Sequence, residues 1–193
     1  MQIDNHTAII DNDFLGHLAE SSLTDTDLID VLRLVFSELG LCAVMHPLVY
    51  DNEVLKDKAR IKLLFDKDVV CRADFADILQ GDPGKKAHYI YLVTSLYHTL
   101  MGEHFPARGD AVFDYWVKKK SLGEVHSFAM CLLCGCGIFL SDDGDSKRLK
   151  QQVKRVALDT VDVYNRKEFF EKHMEEGQTK LVRHTKRALT HTS

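Results

Sequence analysis

Apolar residues follow two rhythms along this chain. Short aliphatic or β-branched runs at 7–10, 42–45 and 138–140, and a pair at Val161 and Val163, are bounded by polar residues and predict buried strands. Elsewhere the spacing is that of one helical face: Leu28, Ile29, Leu32, Val35, Phe36 and Leu39 predict a helix over 25–39, closed by Gly40. Pro47 suits the first position of a helix running through Glu53 and Leu55. Further helices are predicted over 86–101, 111–118, 123–133, 146–156 and 167–175, with Gly135 and Gly137 breaking the third of these. Apolar residues at 60–70 keep neither rhythm. The first strand stops at Asp11, which therefore falls at a strand's C-terminal end, where a polar loop is expected.

Strands alternating with helices predict an α/β protein: a three-layer α/β/α sandwich with a mainly parallel central sheet. No repeat or low-complexity segment divides it. The expected organisation is one domain over 1–177, with a helical insertion around 56–120, followed by a polar, basic C-terminal tail at 178–193.

The chain has 193 residues, 45% hydrophobic and 28% charged, which is ordinary for a globular domain. Asp4, Asn5 and His6 interrupt anything resembling a secretory leader, and no apolar run is long enough to span a bilayer, so a cytoplasmic protein without a membrane partner is expected. Five cysteines are an odd number, and Cys131, Cys134 and Cys136 crowd one apolar segment. They read as reduced, core-forming thiols, since no second Cys pair or spaced His pair completes a zinc site. The formal net charge of -4 hides an asymmetry: 12 Lys+Arg face 6 Asp+Glu from Lys147 onward, against 13 and 23 before it. The basic part suits a phosphate backbone, or it is a solvated helical charge run.

Acidic residues fall where parallel α/β sheets place ligands: Asp11 after the first strand, Asp142, Asp143 and Asp145 after a later one, and Glu124 at the start of the helix between. Hard cations such as Mg²⁺ or Mn²⁺ take oxygen ligands, and gathered carboxylates repel one another until a cation neutralises them. Each acid also has an ordinary structural role open to it. Asp11 or Asp13 could cap a following helix, Glu124 would sit in a helix's first turn, the stretch 141–145 offers several N-caps, and Glu53 needs no function on an exposed helix face. His126, two residues after Glu124, reads as a partly buried structural histidine.

Ile9-Ile10-Asp11-Asn12-Asp13-Phe14-Leu15 resembles the opening strand and acidic loop of PIN domains, and 47–54, Pro-Leu-Val-Tyr-Asp-Asn-Glu-Val, resembles their second acidic motif. Leu122-Gly123-Glu124-Val125-His126-Ser127 and, after a helix, Gly137-Ile138-Phe139-Leu140-Ser141-Asp142-Asp143 are similar to the branch whose third acid follows a Gly and whose fourth sits in an Asp-Asp pair. The resemblance runs in family order across nearly the whole chain. It implies a Mg²⁺- or Mn²⁺-dependent endonuclease acting on RNA, with DNA as the other substrate. Asp11, Glu53, Glu124 and Asp143 would be its metal-binding catalytic acids, Asp13, Asp142 and Asp145 their neighbours or substitutes, and Lys118, Lys119, Lys120, Lys147 and Arg148 the contacts to nucleic acid. It also brings a homodimer, through an apolar stretch such as 88–101, and an inhibitory protein partner into view. The chain departs from the family in the length of 56–120.

Two rival readings use the same residues. Asp11-Asn12-Asp13 is a DxD, so a haloacid-dehalogenase-type phosphatase would use Asp11 as nucleophile and Asp13 as general acid, with Asp142 and Asp143 holding metal. Phe14 and Leu15 depart from what usually follows that motif. Alternatively, a degenerate PIN-like scaffold would bind RNA or protein without cutting.

Overall fold

A computed structural model describes residues 1–54, 59–117, 121–154, 161–174, 185 and 187–190. Its centre is one five-stranded sheet, β1 (Thr7–Ile10), β2 (Cys42–Met45), β3 (Cys71–Arg72), β4 (Ile138–Leu140) and β5 (Asp162–Tyr164), in the order β3-β2-β1-β4-β5. Every pairing is parallel: Ile9 lies opposite Val44 on one side and Phe139 on the other. Parallel strands cannot be joined by tight turns, so helices fill the crossovers and cover both faces. The result is a three-layer α/β/α sandwich.

Period-two alternation divides the core. Ile9, Val44, Phe139 and Val163 point into one apolar cluster, and Ala8, Ile10, Ala43, Met45 and Leu140 into the other. The first cluster is covered by α5 (Phe75–Leu79), α6 (Pro83–Met101) and α7 (Leu122–Cys134), with Leu149 of α8 (Gly144–Lys154). The second is covered by α1 (Asn12–Ala19), α2 (Asp25–Glu38), α4 (Ala59–Asp66) and α9 (Arg166–His173). A short α3 (Pro47–Val49) passes directly into a π-helical turn, Tyr50–Val54. No helix among the described residues is long and apolar enough to cross a membrane.

Three places differ from expectation. The supposed loop after β1 is helix α1, which buries Phe14, Leu15 and Leu18 on one face and is capped by Asp11. Where a helix over 111–118 is expected, the described residues form a 3₁₀ turn, Gly109–Val112, followed by a turn at 113–114 and irregular chain as far as Val117. Phe113 and Tyr115 explain this: Phe113 stacks on Tyr89 at 5.3 Å and Tyr115 meets Phe105 edge-on at 5.3 Å. Residues two apart point to opposite sides of an α-helix, so a continuous helix would not bring both rings to the first cluster. The stretch 60–70 is α4 plus a turn leading to β3, so the insertion contributes an edge strand as well as helices.

Within the stretch expected to be a polar tail, 187–190 is helical, and Leu189 is fully buried in the second cluster. Cys131 and Cys136 are buried in the first cluster, where the Cys131 thiol donates to the Cys136 carbonyl at 3.3 Å. The apolar face of 88–101 is likewise core, with Tyr89, Leu92, Val93, Leu96, Tyr97 and Leu100 buried and Tyr91 exposed.

Candidate metal centre

The strand order reverses between β1 and β4. The chain builds outward from β1 to β3, then returns to the other side of β1 for β4 and β5. Their crossovers run in opposite directions from this line, leaving a crevice at the strands' C-terminal ends, where parallel α/β sheets bind ligands. Asp11 stands there. Its backbone N–H continues the ladder to Leu140 at 2.9 Å, its Oδ1 accepts the Asn12 N–H at 2.8 Å, and its Oδ2 accepts the Ser141 hydroxyl at 3.3 Å. Helix capping and membership of the acidic cluster are therefore both roles of the same side chain.

Asp11, Asp13 and Glu124 each offer an oxygen within 4.8 Å of the others. Asp13, in the first turn of α1, is exposed, whereas Asp11 and Glu124 are buried. Burial, then Glu53 and Asp13, push the Asp11 carboxyl up to about 7. Burial, then the Asp11 charge and a hydrogen bond shared with Asp143, push Glu124 up to about 9. Among the described residues no Lys or Arg forms an ion pair with Asp11, Asp13 or Glu124. A buried carboxylate pair without a cationic side chain keeps protons or takes up a cation.

Glu53 reaches the cluster from the π-helical turn. The insertion of an extra residue per turn rotates the side chains that follow, and such turns recur at functional sites. Its carboxylate stands against the start of α7: a Cβ placed on Gly123 would lie 3.0 Å from Glu53 Oε1 and 3.6 Å from Asp11 Oδ1. The missing side chain of Gly123 lets two carboxylates approach a helix N-terminus, whose partial positive charge favours them. This second observation distinguishes the cluster from a chance gathering of surface acids. Its donor set, all carboxylate oxygen, fits Mg²⁺ or Mn²⁺.

The acidic triplet after β4 divides its roles. Asp143 faces the cluster, sharing a hydrogen bond with Glu124, while its Oδ1 accepts the Asp145 N–H at 2.8 Å. Asp145 accepts the Ser121 hydroxyl at 3.0 Å, holding the residue that precedes α7 in a left-handed conformation, φ 73°. Asp142 is committed elsewhere: it meets His17 Nδ1 at 2.6 Å, accepts the Arg166 backbone N–H at 2.7 Å, and lies 3.8 Å from Arg166 Nε. It joins α1, the β4 loop and α9. Lys147 pairs with Glu168 at 2.7 Å, and Arg148 is exposed on α8. Lys118, Lys119 and Lys120 lie outside the described residues.

Behind the cluster lies a buried row of three residues of which the sequence showed only His126, and not its partners. His46, Tyr89 and His126 are all fully buried and hydrogen-bonded in a row, 2.8 Å from His46 Nε2 to the Tyr89 hydroxyl and 2.7 Å from there to His126 Nδ1. His126 is thus wholly rather than partly buried. Partners 43 and 37 residues apart leave no local signal.

Comparison of the chain with protein-family models, curated proteins and solved structures finds no match.

Proposed function

We propose that the protein is a Mg²⁺- or Mn²⁺-dependent nuclease of the PIN-like kind, hydrolysing phosphodiester bonds in RNA. The observation that carries this is the meeting of Asp11, Asp13 and Glu124 at the β1/β4 crevice, with Glu53 seated against Gly123 beside them. Asp11, Asp13 and Glu124 would hold the cation, with Glu53 and Asp143 adjoining. When bound, the cation supplies positive charge that offsets the carboxylates, acidifies water and stabilises charge developing on phosphate.

The chain's own residues contribute position. Ser141 and the Asn12 amide fix the Asp11 carboxylate on both oxygens, so it keeps one orientation as charge changes around it. Asp13 is the exposed member, so substrate enters from its side. Glu124, buried beside Asp11 and Asp143, would hold the cation and orient the attacking water, whose proton passes to solvent. As the water oxygen bonds to phosphorus, one P–O ester bond breaks and the leaving oxygen takes a proton from solvent. Lys147 and Arg148, on the helix that follows Asp143, are candidates for the neighbouring phosphates.

The phosphatase reading accounts for less. It leaves Glu53 and Glu124 pressed against Asp11 without a role, and it asks Asp142, already bonded to His17 and Arg166, to hold metal. The deciding experiment is cleavage of a labelled single-stranded RNA with Mn²⁺ by wild type, Asp11→Asn and Glu124→Gln. Metal-dependent cutting by wild type and its loss in both folded variants is expected. No cutting by folded wild type, or equal cutting by all three, would overturn the proposal, and hydrolysis of a small aryl phosphate instead would move the assignment to the phosphatase.

A further inference from the structure

The row of buried groups behind the cluster has a defined direction. The Leu48 N–H donates to His46 Nδ1 at 3.2 Å, so in the neutral ring the proton lies on Nε2. Nε2–H then donates to the Tyr89 oxygen, and the Tyr89 hydroxyl has its own proton left for His126 Nδ1. All three groups stay neutral: burial drives His46 well below the usual histidine range, takes His126 down to about 3, and raises Tyr89. The arrangement therefore has a single set of donors and acceptors across the neutral range.

The row spans three segments. His46 caps α3, which runs straight into the π turn bearing Glu53. His126 lies two residues beyond Glu124 on α7. Tyr89 belongs to α6, in the long insertion that sets this chain apart, and packs against both, its ring 6.1 Å from His46 and 6.0 Å from His126, while the two histidine rings meet each other at 5.3 Å. Asp11 is anchored independently, through β1 and Ser141. The relative placement of Glu53 and Glu124 thus depends on what ties α3 to α7, and a Tyr89 hydroxyl lost from the middle would strand a buried N–H on one side and a buried acceptor on the other, each costing the full desolvation penalty.

We propose that Tyr89 is a positioning residue of the carboxylate cluster, its hydroxyl bridging His46 and His126 so that Glu53 and Glu124 are held against Asp11. The proposal assigns a role to the insertion and rests, for its effect on metal, on the reading above.

Tyr97 provides an internal control. It is a fully buried tyrosine on the same helix, but its hydroxyl has no partner among the described residues. Tyr89→Phe and Tyr97→Phe each remove one buried oxygen from α6. The measurements are Mn²⁺ affinity by calorimetry and amide hydrogen exchange at Gly123 and Glu124 in the metal-free protein. Tyr89→Phe is expected to bind Mn²⁺ about tenfold more weakly, the lower end for loss of a group supporting metal ligands, and to exchange faster at both amides. Tyr97→Phe should match wild type in both. Equal behaviour of the two variants overturns the proposal. Faster exchange in Tyr89→Phe alongside a wild type that takes up no Mn²⁺ would instead retain the positioning role and remove the metal reading. Should Tyr89→Phe not fold, His126→Asn, which keeps an acceptor toward Tyr89, is compared with His126→Leu, which does not. Wild-type-like exchange at Gly123 and Glu124 in Asn but not in Leu supports the proposal, and identical exchange in the pair overturns it.

Discussion

Gly123 and Glu53 meet so closely that a methyl group on the glycine would stand 3.0 Å from the glutamate's Oε1. Alanine inside a helix ordinarily stabilises by about 1 kcal/mol over glycine. Here the added carbon must displace the Glu53 carboxylate, with Asp11 Oδ1 only 3.6 Å away. Gly123→Ala is expected to forfeit that gain and to weaken Mn²⁺ binding at least several-fold by calorimetry. A variant that is both stabilised and bound as tightly as wild type would show that Glu53 does not belong to the cluster.

The two members of the Asp-Asp pair should separate in a denaturation experiment. Asp142 and Arg166 have side chains only 10% and 7% exposed, and removing one partner of a buried pair costs about 3 kcal/mol. Asp142→Ala should therefore shift the urea midpoint strongly downward. Asp143→Asn, whose side chain faces the cluster, should leave that midpoint close to wild type while reducing the stabilisation that Mn²⁺ confers.

Stability of the metal-free protein should fall as pH rises. Asp11 and Glu124 hold protons more tightly in the folded chain than in an unfolded one, so their protonation favours folding at low pH. That contribution is complete below the unfolded carboxyl range, near pH 4, and is lost as pH climbs through about 7 for Asp11 and about 9 for Glu124. Thermal midpoints measured in chelator from pH 5 to 9 should decline, and the increment given by saturating Mn²⁺ should widen over the same range. A flat metal-free profile would contradict the crowding of these acids.

Asp11→Asn should stabilise the metal-free protein near neutral pH, since it removes a buried charge facing Glu53, Asp13 and Glu124. The same substitution should abolish the midpoint shift produced by Mn²⁺. Stability and metal response moving in opposite directions is a signature that a purely capping aspartate would not give, because Asn caps a helix about as well as Asp and the change would leave stability near wild type.

Leu189→Ala should cost roughly 2–5 kcal/mol, as for other fully buried leucines, because the side chain is fully buried in the second apolar cluster beside the sheet. A negligible change in thermal midpoint would show that this position does not pack.

What the sequence made legible is unevenly spread, for identifiable reasons. The strands β1, β2 and β4 were plain because each is a continuous apolar run buried but for the first residue of β2 and of β4, and α2 and α6 because their apolar stripes recur over many turns. Helix α1 was obscured by its own opening: Asn12 and Asp13 read as loop, and only Phe14, Leu15 and Leu18 mark the face. The two residues of β3 are too few to show any period. In the site, the acids were visible one by one, but sequence cannot tell that Asp142 turns toward His17 while Asp143 turns toward Glu124, a choice set by packing of α1 and α9. The histidine–tyrosine row was hidden because it arises from contacts between segments, not from a pattern within one.

The placement of β4 next to β1 has a consequence for how the chain comes into being. Ser141, whose hydroxyl holds Asp11, is 130 residues further along. A chain still emerging from the ribosome carries Asp11 and Glu53 as ordinary hydrated acids, with no strand yet on that side of β1 to hold them. The full crowding of these carboxylates arises only when the last third of the polypeptide closes the sheet. The cluster is therefore a late assembly, since a chain that ends before β4 lacks the strand and the hydroxyl that hold Asp11 in place.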